Sequence, residues 1–199
     1  MRVLLFSGGI DSASIAWMEK PEALLFVDYG QFPAVGERRA ARSLAEAMGL
    51  PLEERVAPLS AFGAGSLVGG PQRPGVPPEF WPFRNQMLIT LAAMAFSHCD
   101  HLEILIGTVA SDAVHPDGTV SFIEAMSAVL GTQSRASVRA PAIDMTGDEL
   151  LARAELPDEL LGWTFSCHTG EWACGRCRGC NKHNAVKEFS RGKWGAREP

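Results

Sequence analysis

The chain of 199 residues has no long apolar run. Its first such run, Val3 to Phe6, is cut off by glycines and is too short for the core of a secretory signal. The longest later one, Met87 to Phe96, is broken by Thr90 and is about half a membrane span. Neither export nor a membrane partner is expected, and the chain reads as cytoplasmic. A broad basic face is missing too. Net charge is −5, and Cys174 to Pro199 alone carries seven Lys or Arg against two Glu, a local +5 that leaves −10 for the remainder. Polynucleotide binding draws most of its affinity from neutralised phosphates. An acidic body with a small basic end therefore disfavours nucleic acid and favours a small substrate or a protein partner. There is no internal repeat and no low-complexity tract. Finally, no lysine follows the first glycine pair, which excludes the common lysine-bearing nucleotide loop.

What is present begins at that pair. Val3-Leu-Leu-Phe-Ser7-Gly8-Gly9-Ile10-Asp11-Ser12 reads as a buried strand, a tight turn and a helix start, with the helix continuing from Ser12 to Met18. Free backbone N–H groups and the helix dipole at such a turn favour an anion. Two glycines admit close backbone approach, and Ser7 and Ser12 add hydroxyls. Asp11 would repel phosphate unless a cation stands between them, so Mg2+ bridging Asp11 to a pyrophosphate is expected.

Further strands are expected at Leu24–Asp28, Leu102–Ile106 and Ala140–Ile143, and helices at Glu37–Met48 and Arg84–Phe96. Capping boxes are read at Ser121–Glu124 and Thr146–Glu149. Residues 58–82, with six prolines and five glycines, form a long loop, functional or disordered. Alternating strands and helices predict an α/β fold with a mainly parallel, doubly wound sheet. Ser7-Gly8-Gly9, Asp28-Tyr29 and Gly107-Thr108 then fall at strand ends and should meet in one crevice.

Four of the five cysteines, Cys167, Cys174, Cys177 and Cys180, follow the spacing C-x6-C-x2-C-x2-C. Four thiolates fill the tetrahedral shell of Zn2+ and leave no open position, so a structural zinc site is expected. His168 and His183 are possible substitutes for a thiolate, and a redox role for Cys177-x-x-Cys180 is the weaker alternative. Arg176, Arg178 and Lys182 would balance the net −2 of such a site. Cys99 reads as a buried hydrophobe. The expected division is 1–160 for the phosphate-loop domain and 161–199 for the cysteine segment.

The string S-G-G-x-D-S resembles the PP-loop (HUP-like fold) of N-type ATP pyrophosphatases, which attack ATP at its α-phosphate. Adding Arg84-Asn85, Gly107 with its acidic loop and Thr164-Phe-Ser-Cys167-His-Thr-Gly170, the chain resembles the 7-cyano-7-deazaguanine synthase family over nearly its whole length. That resemblance implies ATP bound by Phe6, Ser7, Gly8, Gly9, Ile10, Asp11, Ser12, Asp28, Tyr29 and Gly107. It implies chemistry at Asp11, Ser12, Arg84 and Asp112, and contacts to a deazapurine substrate at Asn85, His115, Asp117 and Phe165. The reaction implied is adenylation of 7-carboxy-7-deazaguanine, amide formation with ammonia, and dehydration to the nitrile; family members are often dimers, so a homodimer is possible.

The chain departs from the family between Gly107 and Phe122. His115 stands for a tyrosine, Gly118 for a cysteine, and an arginine is missing; Met145–Glu149 lacks a lysine. Arg73, Arg135 and Arg139 are candidates to supply the missing charge. The departures leave open a relative that joins the adenylated deazaguanine to another amine, such as one on a partner protein in a bacterial defence system. Also open are a tRNA-modifying PP-loop enzyme, for which paired catalytic cysteines outside the zinc site are lacking, and a non-catalytic zinc-bearing interaction module.

Overall fold

The structure, a computed structural model, describes residues 1–71 and 74–194, with side chains to residue 188. Five strands, β1 (Arg2–Leu5), β2 (Ala23–Asp28), β3 (Leu52–Val56), β4 (Leu102–Leu105) and β5 (Ala136–Arg139), form one sheet in the order β3-β2-β1-β4-β5. Every pairing is parallel. The helices are α1 (Ile10–Glu19), α2 (Ala34–Met48), α3 (Arg84–Ala95), α4 (Val120–Gly131), α5 (Gly147–Ala154), α6 (Asp158–Trp163) and α7 (Arg178–Trp194). Among the described residues, no helix is long and apolar enough to cross a membrane.

The sheet is covered on both faces, as expected of a doubly wound fold. Successive strand residues point to opposite faces. Leu4, Leu24 and Phe26 therefore join Ala13, Leu44, Leu150, Leu160 and Val186 from α1, α2, α5, α6 and α7. Val3, Leu25 and Val27 join Ile89, Phe96, Ile123 and Met126 on the α3–α4 side. Val186 is buried in the same cluster as Leu4, so the carboxyl-terminal helix shares the main core. Strand order reverses between β1 and β4, so their carboxyl ends open a crevice at the switch point.

One strand is added and two local expectations are corrected. β3, LEERV, is an additional strand that the apolar pattern does not predict. It is an edge strand whose Glu53 and Glu54 are half-buried and whose Arg55 is exposed, which hides its apolar signal. Its charges are engaged: Arg42 pairs with Glu54 at 2.5 Å and Arg55 with Glu53 at 2.6 Å. β5 covers 136–139 rather than 140–143. Pro141 has no N–H for a ladder, and beyond Arg139 only an isolated bridge joins Val109 to Ala142. α4 is capped by Thr119, whose hydroxyl accepts from the Phe122 N–H at 3.3 Å, rather than by Ser121. The Thr146–Glu149 capping box at the start of α5 is present as read.

Candidate active site

The phosphate loop joins β1 to α1. Gly8 has φ +73°, and a Cβ there would lie 2.7 Å from the Ala41 nitrogen and 2.8 Å from the Ala40 Cβ, so the turn packs directly on α2. Gly9 is the N-cap of α1, and no side chain caps it. The first-turn N–H groups are thus left facing the crevice, where a bound anion would satisfy them. Ser12 Oγ donates to the Gly9 carbonyl at 3.0 Å and lies 3.5 Å from Ser7 Oγ. Gly107, at the end of β4, is the opposite wall: a Cβ there would meet the Ser12 Cα at 3.7 Å.

Asp11 stands in the first turn of α1. Burial pushes its carboxyl above the usual carboxylate range; Lys182 opposes that shift and Asp112 adds to it. Lys182 Nζ sits 2.6 Å from Asp11 Oδ2, while Asp11 Oδ1 is buried with no hydrogen-bond partner. A buried carboxylate oxygen without a donor, with a second carboxylate nearby, is a position a hard cation would satisfy. Asp11 and Asp112 therefore fit Mg2+.

The crevice opens into a cavity of about 340 Å3. Of the residues nominated from the sequence, Phe6, Ser7, Gly9, Ile10, Asp11, Ser12, Tyr29, Arg84, Asn85, Gly107, Asp112, His115, Asp117 and Phe165 line it. Gly8 and Asp28 do not. Gly8 meets α2 and offers its carbonyl to the Phe165 N–H at 2.9 Å. Asp28 pairs with Arg38 at 2.7 Å and accepts from the Gly30 N–H at 3.1 Å, closing the turn after β2.

The 58–82 loop contributes to the cavity wall through Leu67, Glu79, Phe80 and Trp81. Trp81 packs edge-on to Tyr29, with ring centroids 5.3 Å apart. Phe80 stacks on His115 at 5.2 Å with planes 6° apart. Burial works against ionisation of Glu79, but hydrogen bonding to its own backbone and the Arg178 guanidinium, 2.5 Å away, hold its carboxyl below the usual range. Farther in, burial pushes the Glu37 carboxyl up to about 7, against a 2.7 Å hydrogen bond from Gln31 Nε2. Burial also raises the Tyr29 phenol.

The loop after β4 is built around Asp112 and Gly118. Asp112 Oδ2 accepts from the Val109 N–H at 3.1 Å. A Cβ on Gly118 would lie 2.2 Å from the Asp112 carbonyl oxygen, so this loop has no room for a side chain there.

The cysteine segment abuts the same crevice. The Sγ atoms of Cys167, Cys174, Cys177 and Cys180 all lie within 4.8 Å of one another. Tetrahedral zinc thiolates stand roughly 3.8 Å apart, and Cys174 and Cys180 are separated by 3.9 Å. The Cys177 and Cys180 N–H groups donate to the preceding cluster sulfurs at 3.3 and 3.4 Å, and the His168 N–H to Cys177 Sγ at 3.4 Å. The cluster suits Zn2+. His183 is turned away from it: its Nδ1 is 3.2 Å from Ser166 Oγ, and burial lowers it to about 4. Cys99 is half-buried rather than buried, 3.3 Å from the Met1 sulfur.

Two of the cations assigned from the sequence to balancing zinc have other partners. Arg178 reaches Glu79, and Lys182 reaches Asp11. Their separation of one helical turn on α7 aims both into the cavity. Spacing around cysteines could not distinguish this, because the partners lie 99 and 171 residues away. Of the proposed replacement cations, Arg135 lies beside His101, Arg139 pairs with Glu19 at 2.8 Å and Glu103 at 3.2 Å, and neither lines the cavity. Arg73 lies outside the described residues. Over the lysine-free segment, a Cβ on Gly147 would be 3.5 Å from Lys182 Cε and 3.6 Å from Asp11 Oδ1.

Comparison with known proteins agrees with this layout. The family described as "Queuosine biosynthesis protein QueC" matches residues 1–189. The chain belongs to the QueC family. Proteins named 7-cyano-7-deazaguanine synthase are similar over most of their length. The one from Azotobacter vinelandii is 31% identical over 89% of each chain. That from Methanopyrus kandleri is 32% identical over 89% of this chain and 90% of its own. That from Methanosphaerula palustris is 30% identical, covering 94% and 93%. The five-stranded parallel sheet agrees with a PP-loop fold, and QueC-like synthases are enzymes.

Proposed function

We propose that this QueC-family protein is an ATP-dependent, C–N bond-forming enzyme that activates the carboxylate of 7-carboxy-7-deazaguanine. The observation carrying this reading is the phosphate loop of an uncapped helix start with Asp11 at its mouth, its Oδ1 unpartnered. A carboxylate oxygen of the substrate attacks the α-phosphorus of ATP, the bond to pyrophosphate breaks, and an acyl-adenylate forms. Ammonia attacks the acyl carbon, loses a proton, and AMP leaves with the acyl C–O bond, giving the primary amide. The amide oxygen then attacks the α-phosphorus of a second ATP, and the bond to pyrophosphate breaks again. Loss of AMP from that carbon and of the nitrogen's protons gives the nitrile.

The chain's residues divide this work. N–H groups from Gly9 to Ser12 and the Ser7 and Ser12 hydroxyls hold the phosphates and stabilise charge that grows on the leaving pyrophosphate. Asp11 and Asp112 would hold Mg2+, which supplies further neutralisation there. Asn85, His115, Asp117 and Phe165 face the deazapurine, and Arg84 takes part in the chemistry with Asp11, Ser12 and Asp112. The four cysteines would hold Zn2+, which would tie the segment carrying Phe165 and α7 to the body beside the loop. The proposed division at residue 160 puts the phosphate loop before it and, after it, a metal-held segment that also brings side chains such as Phe165 to the cavity.

A second reading has its own support. Gly118 excludes a side chain, and His115 is stacked under Phe80 near Glu79, 3.8 Å away. The acceptor end of the cavity is thus rebuilt, which favours a relative that stops short of the nitrile or delivers the deazaguanine acyl group to another amine, including one on a protein.

Incubating the pure protein with ATP, Mg2+ and 7-carboxy-7-deazaguanine, with and without ammonium, tests both. AMP with nitrile mass supports the synthase; AMP with adenylate or amide but no nitrile supports the second reading. Absence of AMP under every condition overturns both for this substrate.

A further inference from the structure

The phosphate loop has a cation, and it comes from the far end of the chain. Three cationic side chains line the cavity among the described residues: Arg84, Arg178 and Lys182. Arg84 lies within electrostatic reach of Tyr29 and Glu37, and Arg178 pairs with Glu79. Among the described residues, Lys182 is the cation paired with a residue of the loop itself, at 2.6 Å from Asp11 Oδ2. It is half-buried in this position, and its stem passes over Gly147, where a Cβ would lie 3.5 Å from its Cε, in ordinary contact.

An ammonium has three donors. One is used on Asp11, and two remain beside the uncapped N-terminus of α1. A lysine tied only to a lone carboxylate would simply lower the local charge. Here the carboxylate is at the mouth of an anion-binding turn and keeps a second oxygen unpartnered, so Lys182 stands where a polyphosphate oxygen would come.

We propose that Lys182 binds the polyphosphate of the nucleotide and stabilises the departing pyrophosphate, making it a catalytic residue delivered by the cysteine segment. It takes no proton and forms no covalent bond. As negative charge moves onto the bridging oxygen of the leaving group, its free N–H bonds strengthen while the third keeps Asp11 oriented. A charge-assisted hydrogen bond of this kind is worth on the order of a tenfold change in affinity or more. The cysteine cluster is then more than a clasp: α7 begins within it and carries the cation to the loop.

The proposal rests on the nucleotide reading above, and the test separates the two. Inorganic pyrophosphate in excess Mg2+ is titrated calorimetrically into wild-type protein, Lys182→Met, Lys182→Arg, Asp11→Asn and the Asp11→Asn/Lys182→Met double variant, with zinc content and melting temperature measured for each. Expected is a loss of about tenfold in affinity for Lys182→Met, part recovery in Lys182→Arg, and a similar loss when the Met change is added to Asp11→Asn. If the loss disappears in the Asp11→Asn background, or if Lys182→Met binds as wild type does, Lys182 is only the counter-ion of Asp11 and the proposal fails. If Lys182→Met does not fold, the Arg variant decides by the same comparison. Wild-type protein that binds neither pyrophosphate nor ATP overturns the nucleotide reading and this proposal with it.

Discussion

The two loops that face each other across the crevice are built by opposite means. The loop after β1 works through its backbone: Gly8 at φ +73° against α2, an uncapped helix start at Gly9, and few side chains. The loop after β4 works through side chains held in two short 310 turns, Ala110–Val114 and Pro116–Gly118, with Asp112 bonded to the Val109 N–H and His115 under Phe80. A backbone site binds what every nucleotide has in common, so it tolerates little change. A side-chain site reads what distinguishes one acceptor from another, so replacing one residue alters its outcome. This would account for the full S-G-G-x-D-S string in the phosphate loop beside a facing loop that the sequence resemblance matches only in part.

The strongest way to break the comparison is at Asp11. Asp11→Ala should lower AMP release by a hundredfold or more, on the order of other losses of charge stabilisation, while zinc content stays at the wild-type level. Metal analysis alongside an AMP assay checks this, and loss of zinc would show that the catalytic and structural sites are not separable.

The facing loop is probed next. Gly118→Ala places a Cβ 2.2 Å from the Asp112 carbonyl oxygen. The backbone must shift, at a cost of about 2 kcal/mol in denaturant unfolding. Pyrophosphate affinity should hold, because the phosphate loop is untouched. A fall in that affinity equal to the stability loss would mean that the loops form one unit.

The smallest effect is expected away from both loops, at Glu37. Its carboxyl, raised to about 7 by burial, stays protonated in the folded protein at pH values where the unfolded chain, with an ordinary glutamate at 4.5, has ionised. The folded state then binds more protons, so stability falls as pH rises from about 4.5 to about 7 and levels off above that. Because the residue borders an open cavity, the span is on the order of 1 kcal/mol. Glu37→Gln, which keeps an acceptor for Gln31, should flatten this slope and be the more stable form at pH 8. Urea midpoints at pH 5 and pH 8 measure it, and an unchanged slope would place the pH dependence elsewhere.

Much of the fold is legible in the sequence because its signals are local. β1, β2 and β4 are apolar runs buried on both faces, and the α5 capping box needs only four neighbouring residues. β3 is hidden because an edge strand can carry Glu53, Glu54 and Arg55 without harm, and β5 because its four residues offer no run to read. The cleft is legible for the same reason as the strands: residues at strand ends converge whenever the sheet is parallel. Asp28 falls under that rule and nonetheless turns to Arg38 and Gly30, since a strand end fixes a Cα and leaves the side chain to its neighbours.

The sequence by itself determined the alternating α/β order, the phosphate loop and the four-thiolate cluster, because each is written in a few adjacent or regularly spaced residues. Only the tertiary structure decided that Lys182 meets Asp11, that Arg178 holds Glu79, and that Gly118 leaves no room beside Asp112. Charges separated by 171 positions in the chain carry no mark of one another, and it is the packing of α7 on the main core that brings them within 2.6 Å.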